Sequence, residues 1–344
     1  MVKAKNQANE GRGWGAFRFP KTSFIFFALH GSLQAERNHL YSKISERMKE
    51  KLLISFSGGR TSAFMTWWLL QNMKDRFEMM VVFANTGKER EERLRFVEMC
   101  DKKFGFNLTW IEAVTHYEKG KGVTAKVVNF NTASRNGEPF EAFIKKHGIP
   151  NMGAPKCSRE LKGYAIRAYA RSCGWKGYYT AIGIRADESH RINIKTMKRD
   201  RILYPLAMIM QITKSDINLF WSKQDFDIEL KSYEGNCDLC WKKSLRKLMT
   251  IVSENPQLVG WWRTMEKRYE NFIPPASKQN PKVKPPLRFY RNNMNIDEIV
   301  EDATYDFEPA IDDSKIIDNY KQLDFFNEWY DREESGCTQS CEAF

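Results

Sequence analysis

A glycine-rich loop at residues 57–62 has the residue types needed to bind phosphate. It follows a short apolar run, 52–56, and precedes a helical pattern. Glycines let the backbone approach a pyrophosphate, the N–H groups at a helix start favour anions, and an arginine can pair with a phosphate through two hydrogen bonds. The Gly-Lys-Ser/Thr of a Walker A loop is absent. The predicted phosphate loop consists of Ser57, Gly58, Gly59, Arg60, Thr61 and Ser62.

Three of the seven cysteines stand in two segments where thiolates could bind a metal or react. Cys237 and Cys240 form a Cys-x-x-Cys motif, and Cys157 directly precedes a predicted helix, whose dipole favours a thiolate. In a reducing compartment, paired cysteines are more often metal ligands or redox catalysts than structural disulfides. A 4Fe–4S cluster and Zn²⁺ both suit these thiolates, and a redox pair or an inert buried set are the other interpretations.

The remaining cysteines divide between the tail and two predicted helices. Cys337 and Cys341 stand four residues apart, where either could be a fourth metal ligand or a nucleophile. Cys100 and Cys173 lie on predicted helical faces, so we expect both to fill space in the core.

The segments that must position these groups alternate between strand and helix patterns. Alternating elements of this length predict an α/β fold, a doubly wound and mostly parallel sheet with helices on both faces. The strand patterns lie at 52–56, 79–84, 108–111 and 177–182, and the helical patterns lie at 62–73, 89–104 and 158–171.

The pattern divides the chain into four predicted parts. Residues 1–47 lack a clear period and are predicted to be a poorly ordered extension. A nucleotide-binding α/β domain is expected at 48–230, followed by a helical segment with the Cys-x-x-Cys motif at 231–273. The last part, 274–344, combines a Pro/Lys-rich linker, an acidic region that we expect to be helical around 311–330, and the cysteine-bearing tail.

Composition limits the classes of protein that the chain can belong to. Hydrophobic residues make up 42% and aromatic residues 13%, which excludes a disordered chain. No segment reaches the roughly 18–20 apolar residues of a membrane span, so we expect no membrane partner and a cytoplasmic location.

Charge is distributed unevenly along the chain. The net charge is +12, although 296–335 contains 14 Asp/Glu against three Lys/Arg. A basic body suits a nucleotide or a nucleic acid, and simple solubility is the alternative. Three clusters could contact nucleic acid by charge and stacking, although an amphipathic helix with a solvated face has the same pattern. They are Lys242-Lys243, Arg246-Lys247 and Trp261-Trp262-Arg263.

Taken in order, four segments resemble the phosphoadenosine phosphosulfate (PAPS) reductase family of the PP-loop, or adenine nucleotide alpha-hydrolase-like, superfamily. The loop 57–62 is similar to the family's SGGxDS loop, and 85–96 resembles its D-T-G…E-x-x-R-F stretch. Residues 183–191 resemble the G-L/I-R-x-x-E/Q-S…R segment, and 204–220 resembles the region that follows it. The two cysteine segments are similar to those of PAPS-reductase-like proteins encoded by phages and mobile elements.

The resemblance implies that an adenine nucleotide lies across the sheet with its phosphates on the loop. Thr86 and Gly87 would lie nearby, and Arg185 and Arg191 would neutralise the anionic end. The double glycine is typical of the ATP-splitting relatives, whereas Thr61 replaces their Asp. The choice among PAPS, adenylylsulfate and ATP therefore stays open.

The resemblance also implies an oxidoreductase that acts through a tail thiolate. In the family, a cysteine near the C-terminus attacks the substrate sulfur, and Cys337 is a better candidate than Cys341. Neither has the family's Glu-Cys-Gly-Leu-His context. Sulfonucleotide reduction with a thiol reductant such as thioredoxin is the first predicted function. The alternatives are ATP-dependent sulfur transfer to a nucleic acid with an iron–sulfur cluster, and a non-catalytic nucleotide-binding module.

Overall fold

A sheet of mostly parallel strands organises the part of the chain that the computed structural model describes, which is 49–317 apart from 119, 279, 281 and 282. Its strand order is β4-β3-β2-β1-β5-β6, and only β4 runs antiparallel to its neighbour. The predicted α/β fold class is confirmed. The strands are β1 Glu50–Ser55, β2 Phe77–Asn85, β3 Leu108–Val114, β4 Thr124–Val128, β5 Tyr179–Ala181 and β6 Ile202–Leu203.

Nine α-helices accompany the sheet within the described ranges. They are α1 Arg60–Asn72, α2 Glu91–Phe104, α3 Glu138–His147, α4 Tyr164–Ser172, α5 Ile194–Asp200, α6 Lys214–Trp221, α7 Leu245–Glu254, α8 Val259–Tyr269 and α9 Ile296–Asp302. Single π turns lie at Arg159–Gly163 and Leu206–Met210, and short 3₁₀ helices at Ala186–Arg191, Ser232–Glu234, Pro256–Leu258, Pro275–Ser277 and Arg291–Asn293. Sequence patterns predicted the elements around the loop to within a few residues, but did not predict β4, β6, α3, α5, α6 or α9.

Alternate residues of the central strands face two separate apolar layers. Leu52 and Ile54 pack in one cluster with residues of α1, α2 and α6, whereas Leu53 packs in the other with residues of α3, α4, α7 and α8. Successive side chains of a strand point to opposite faces, so an unbroken apolar strand implies helices on both faces. The doubly wound arrangement is therefore confirmed.

Residues that follow the last strand in sequence belong to the second of these apolar layers. Trp262 of α8 and Phe289 are fully buried in the same cluster as Leu53, and so is Ile299 of α9. The Pro-rich stretch 274–288 ends against α8, where the Leu287 N–H donates to the Glu270 carbonyl oxygen at 2.6 Å. The described residues after 230 thus share the core of the sheet.

Two positions in the helices test the core prediction for cysteines. Cys100 of α2 is fully buried, as expected, and burial raises the pKa of its thiol. Cys173 is exposed, so its predicted core role is wrong. The reason is that α4 ends at Ser172 and Cys173 is its C-cap, outside the buried face.

The parts that lie outside the described residues include 1–47 and both tail cysteines, Cys337 and Cys341. Only the first part of the predicted helix around 311–330 lies within the described residues. Its described part, 311–317, is not helical, so the prediction is wrong there.

A buried carboxyl connects α8 to the chain that follows it. Glu266 is 3% exposed, and its two oxygens accept the backbone N–H groups of Phe289 at 3.2 Å and Ile296 at 2.8 Å. Burial raises the pKa of Glu266 to about 7, against the opposing effect of these two donors. The charged form is therefore less favourable in the folded chain than in the unfolded chain.

Glu266 should make folding stability fall as pH rises from about 4.5 to 7. Its pKa is higher in the folded state, so the unfolded state loses its proton first, and linkage predicts a loss of about 3 kcal/mol across this window. Urea unfolding at pH 5, 6, 7 and 8 should show this fall in wild type and a flatter dependence in Glu266→Gln. Glu301→Gln, at an exposed position of α9, is the control. An unchanged pH dependence in Glu266→Gln would contradict the assignment.

Candidate functional site

The loop between β1 and α1 closes on the hydroxyl of Ser62. The Ser57 N–H and hydroxyl both donate to Ser62 Oγ, at 3.2 and 2.9 Å, and the Ser62 hydroxyl donates to the Gly59 carbonyl at 3.0 Å. Gly59 is the N-cap of α1 and provides no side-chain cap, and the first turn holds no acidic residue. The helix start is therefore suited to an anion, as the sequence predicted.

The two loop glycines have different roles. Gly58 has φ +78°, and a Cβ there would lie 2.8 Å from a methyl carbon of Val97 and 3.0 Å from the Phe83 ring. Gly59 has φ −112°, and a Cβ there would have no neighbour within 4 Å. Gly58 is therefore required by the turn and the core behind it, whereas Gly59 leaves space on the side where a ligand would approach.

The loop lies where the strand order reverses, because β2 and β3 extend to one side of β1 and β5 lies on the other. Ligands of open α/β sheets bind at such switch points. Gly183, after β5, approaches the loop so closely that a Cβ there would lie 3.2 Å from Ser62 Cα. This contact joins the ends of β1 and β5 at the site.

A cleft opens beside the loop, and every charged side chain in its described lining is basic. Its described lining contains no Asp or Glu and five basic side chains: Arg60, Arg93, Arg185, Lys214 and Lys231. The other lining residues are Ser57, Gly59, Thr61, Ser62, Ile217, Asn218, Ile228, Leu230, Ser232, Gly235 and Ser314. The apolar side chains among them give the cleft a surface for an uncharged ring, so it suits a ligand with an aromatic base and several phosphates.

Arg93 was missed by the sequence analysis. It lies on α2, is 3% exposed, and its Nη1 donates to the Ser57 carbonyl at 3.2 Å. The signal was present, because Arg93 precedes Val97 by one helical turn on the face that packs on the sheet. Arginine is rarely buried without a partner, so an arginine on the buried face of a helix indicates a polar or functional contact there.

Arg60 pairs with a carboxylate in the structure. Its Nε donates to Asp227 at 2.6 Å, its Nη2 forms a second contact to the same carboxylate, and its Nη1 donates to the Ser314 carbonyl at 2.5 Å. The sequence predicted that Arg60 would pair with a phosphate through two hydrogen bonds. In the structure its bidentate partner is Asp227. Arg60 still lines the cleft, so an incoming phosphate would compete with this carboxylate.

An acidic strap, residues 310–317, crosses the mouth of the cleft. Lys214 forms an ion pair with Asp313, and Asn218 donates to the carbonyls of Asp313 at 3.1 Å and Ile316 at 2.7 Å. Burial alone would raise the pKa of Asp313, but the charge and hydrogen bond of Lys214, together with a hydrogen bond from Ser232 and the charge of Lys247, hold this pKa below its usual value. The strap thereby places Ser314 in the cleft lining.

Of the two predicted arginines after β5, one reaches the loop. Arg185 is 4% exposed, lines the cleft, and its Nη1 donates to Thr61 Oγ1 at 3.4 Å. Its guanidinium also pairs with Asp187 at 2.8 Å and Glu188 at 3.3 Å. Arg191 does not line the cleft and pairs with Glu188 at 2.6 Å. It therefore lies behind Arg185 and shares a carboxylate with it.

The structure places Thr86 and Gly87 away from the cleft lining. The Thr86 hydroxyl donates to Glu89 at 2.8 Å and lies 3.6 Å from Cys237 Sγ. Gly87 has φ +78°, and a Cβ there would lie 3.1 Å from the backbone of Gly137. Thr86 thus belongs to the pocket that contains the cysteines, whereas Gly87 serves the turn beside it.

Cys157, Cys237 and Cys240 are buried and line one pocket, here named the thiol pocket. The fold therefore brings together the three cysteines that the sequence grouped as metal ligands. Among the residues that the structure describes, however, no three Cys, His, Asp or Glu side chains are close enough to hold a metal ion. The predicted fourth ligands, Cys337 and Cys341, lie outside the description, so the metal site stays a prediction.

Buried lysines surround the thiol pocket. Lys88 pairs with Asp238 at 2.9 Å, and Lys162, which lines the pocket, pairs with Glu89 at 3.5 Å. Lys243 is buried beneath the Cys-x-x-Cys turn and donates to the Cys237 carbonyl at 3.2 Å. Burial lowers the pKa of Lys243, and the two nearby thiols oppose that shift. A thiolate or an anionic cluster here would stabilise the charged form of Lys243, whereas Lys88 and Lys162 already have carboxylate partners.

The same burial corrects the predicted nucleic-acid contacts. Lys243 is 2% exposed, and Trp262 is fully buried with its Nε1 donating to Asp238 at 2.8 Å. These two side chains fill the core and cannot stack on a base or pair with a phosphate. Within the predicted helical segment 231–273, α7 begins only at Leu245, where Ser244 caps it by accepting the Lys247 N–H.

No helix within the described ranges is long and apolar enough to cross a membrane.

Comparison with known families agrees with this geometry. A model of the phosphoadenosine phosphosulfate reductase domain matches residues 51–229, just over half of the chain. The chain therefore belongs to the phosphoadenosine phosphosulfate reductase family, and the predicted resemblance is confirmed. The matched part is a PP-loop nucleotide-binding enzyme domain with the adenine nucleotide alpha-hydrolase-like fold.

Relatives of the chain occur in a phage and in an archaeon. It is 29% identical to the nin region protein ORF290 of Escherichia phage lambda over 296 residues, which cover 85% of this chain and 94% of that protein. It is 23% identical to each of the proteins MJ0066 and MJ0973 of Methanocaldococcus jannaschii, over 65% and 69% of this chain. Those matches cover 43% and 53% of the archaeal proteins, so the chain spans about half of their length.

Alanine at the two loop glycines should separate folding from binding. Gly58→Ala is expected to destabilise the fold by about 3 kcal/mol, because it combines a left-handed φ with an overpacked core. Gly59→Ala should change stability by less than about 0.5 kcal/mol but weaken nucleotide binding at least about tenfold, because its Cβ faces the approach of the phosphates.

Thermal unfolding and titration calorimetry measure these two effects. Gly122→Ala is the matched control. A Cβ at Gly122 would also have no neighbour within 4 Å, and the φ of Gly122 is not positive. Unchanged nucleotide affinity in Gly59→Ala would show that the ligand does not approach this part of the loop.

Proposed function

We propose that the loop cleft binds an adenine sulfonucleotide, PAPS or adenylylsulfate, and that the enzyme reduces it through a tail cysteine. The observation that carries this proposal is the described lining of the cleft, which contains five basic side chains and no carboxylate, although four of the five pair with carboxylates outside the lining. Such a lining, at the switch point of a family member's sheet, suits a nucleotide with several anionic groups.

In the proposed reaction the thiolate of Cys337, or of Cys341, attacks the sulfur of the sulfonucleotide. The S–S bond forms as the S–O bond breaks, so the nucleoside phosphate leaves with the electron pair and the cysteine becomes a thiosulfonate. An external dithiol such as thioredoxin then releases sulfite and is oxidised to a disulfide, which restores the cysteine. Negative charge develops on the leaving phosphate, where the first-turn N–H groups of α1 and Arg185 would stabilise it.

The path of the chain supports the use of a tail cysteine. The strap holds Ser314 in the cleft lining, and Cys337 follows 23 residues later. A segment of this length can span up to about 75 Å when extended, so connectivity permits Cys337 and Cys341 to reach the cleft.

A second candidate function is ATP-dependent sulfur transfer to a nucleic acid. Two observations favour it. The loop keeps both glycines, and Lys243 donates to the carbonyls of Gly235, which lines the cleft, and of Cys237, which lines the thiol pocket, so the two pockets are neighbours. In this reaction the acceptor oxygen attacks ATP and releases pyrophosphate, and a sulfur nucleophile then displaces AMP from the adenylated acceptor.

Nucleotide choice and cysteine dependence distinguish the two functions. We expect PAPS or adenylylsulfate to bind at least about tenfold more tightly than ATP in calorimetry. Sulfite release should be lost in Cys337→Ser, or in Cys341→Ser if that residue is the nucleophile, with nucleotide affinity unchanged because neither thiol is needed for binding. Cys173→Ser, at an exposed position, is the control.

Other outcomes contradict sulfonucleotide reduction. Preferential binding of ATP with release of pyrophosphate would support the second candidate. Binding without turnover in wild type, with either nucleotide and a dithiol present, would indicate a non-catalytic nucleotide-binding module.

We propose that the thiol pocket holds a 4Fe–4S cluster through Cys157, Cys237 and Cys240, with Cys337 or Cys341 as the fourth ligand and Zn²⁺ as the rival metal. The nature of the donors supports a metal group there, and its negative charge would stabilise the charged form of Lys243, which burial disfavours. The described thiols are not close enough to form a ligand set, so binding would have to draw them together. No step of either proposed reaction involves the metal.

Metal analysis tests this proposal directly. Protein purified without oxygen should absorb near about 400 nm and carry about four iron atoms per chain, as a cubane cluster requires. Cys157→Ser, Cys237→Ser or Cys240→Ser should lose most of the iron, whereas Cys173→Ser should keep it. Stoichiometric zinc without colour would identify the rival metal, and neither metal would leave the thiols as buried residues or a redox pair.

A further inference from the structure

Two segments of the chain carry positive charge without any acidic residue. Residues 142–159 contain four Lys/Arg and residues 271–296 contain five, and neither segment contains Asp or Glu. Acidic residues make up 43 of the 344 residues overall, so two such stretches are unusual for this chain. Their separation in sequence, more than 100 residues, hides any relation between them.

The fold brings these two segments together. The Asn151 side chain donates to the Arg288 carbonyl at 3.0 Å. Gly148, with φ +77°, packs so closely on Pro274 that a Cβ there would lie 3.1 Å from its ring. The two basic segments therefore form one surface.

An open groove of about 820 Å³ runs between them, here named the basic groove. Its described lining contains no carboxylate. Six of its lining residues are Asn151, Met152, Arg288, Arg291, Asn292 and Asn293. Arginine and asparagine are the side chains that hydrogen-bond both phosphate oxygens and base edges, so the lining has the composition of a nucleic-acid contact surface.

Some basic side chains of the two segments form ion pairs with carboxylates, and others do not. Arg288 pairs with Glu270 at 2.7 Å, Lys145 with Glu141 at 3.6 Å and Arg159 with Glu160 at 3.1 Å. Lys278 and Lys284 are exposed, Lys156 is half-buried, and the structure gives these three lysines no carboxylate within ion-pair distance among its described residues. They belong to the two basic segments but do not line the groove, so they would exchange counterions for the phosphates of a strand that extends beyond it.

The basic groove adjoins the thiol pocket. Arg291 donates to the Lys242 carbonyl at 3.4 Å, and Lys242 Nζ donates to Ser158 Oγ at 3.3 Å. Ser158 lines the thiol pocket next to Cys157. A strand in the groove would thus pass beside the sulfur atoms, on a different surface from the cleft.

We infer that the basic groove binds the phosphate backbone of a nucleic-acid strand and holds it beside the thiol pocket. This deepens the second candidate function and rests on it, since it locates where an acceptor nucleic acid would lie. It replaces the contact set expected from sequence, of which Lys243 and Trp262 are buried in the core.

Fluorescence anisotropy with labelled oligonucleotides tests the inference. The probes are a 20-nucleotide RNA and a DNA of the same sequence, titrated with the full chain at 50, 100 and 200 mM NaCl. The triple variant Lys156→Gln, Lys278→Gln and Lys284→Gln should bind at least about tenfold more weakly at 100 mM salt. Its plot of log affinity against log salt should be shallower by about 2–3, because fewer phosphates are neutralised.

A matched variant controls for net charge. Lys74→Gln, Lys102→Gln and Lys195→Gln together remove the same charge from exposed positions outside both basic segments, and should change affinity less than about twofold. An equal loss in both triple variants would overturn the inference, as would the absence of binding to either oligonucleotide at 50 mM NaCl. Displacement by polyglutamate as effective as that by unlabelled oligonucleotide would also overturn it, by showing that the groove accepts any polyanion, including an acidic protein.

Nucleotide calorimetry on the same proteins separates this inference from the proposed function. The groove variant should bind nucleotide like wild type, because none of its three lysines lines the cleft. Gly59→Ala should lose nucleotide affinity and keep its affinity for the oligonucleotides. A groove variant that keeps its oligonucleotide affinity would show that the groove was assigned wrongly, and a Gly59→Ala variant that keeps its nucleotide affinity would show that the cleft was.

Discussion

The turn after β1 is the constraint on which the site depends. Gly58 must take a positive φ with no side chain, because Val97 and Phe83 occupy the space behind it. Only then can α1 begin at Arg60 with its N-terminus open toward the cleft. Gly183 makes the matching approach from β5, against Ser62. Two glycines in the sheet's switch region thus allow backbone, rather than side chains, to form the wall of the phosphate site.

The cations of the cleft are balanced by carboxylates that reach them from outside its lining. Asp227 pairs with Arg60, Asp187 and Glu188 pair with Arg185, and the strap supplies Asp313 to Lys214. Buried charge without a partner would be costly, so these pairs let the chain keep a basic cleft before any ligand binds. The same pairs set a condition on the ligand. A phosphate must compete with carboxylates already in place, which favours a ligand with several anionic groups.

The carboxyl end of the sheet supports two kinds of chemistry side by side. The phosphate loop extends from β1, whereas Thr86 follows β2 and contacts both Glu89 and Cys237. Glu89 in turn pairs with Lys162, which lines the thiol pocket. The link to the cleft is Lys243, which donates to the carbonyls of both Gly235, in the cleft lining, and Cys237, in the thiol pocket. The proposed sulfur transfer would draw on this adjacency, because it needs a nucleotide and a thiol in one domain.

The sequence by itself determined the α/β fold, the phosphate loop and the family, because apolar runs, glycines and ordered motifs are local signals that survive without knowledge of packing. It also grouped Cys157 with Cys237 and Cys240, which the fold places in one pocket. Only the tertiary structure decided the partners of each charge. Arg93 and Lys214 line the cleft, although the sequence had not predicted them there, and Thr86 lines the thiol pocket instead of the cleft. Such pairings join segments far apart in the chain, and side-chain burial, which no local pattern encodes, decides which of them form.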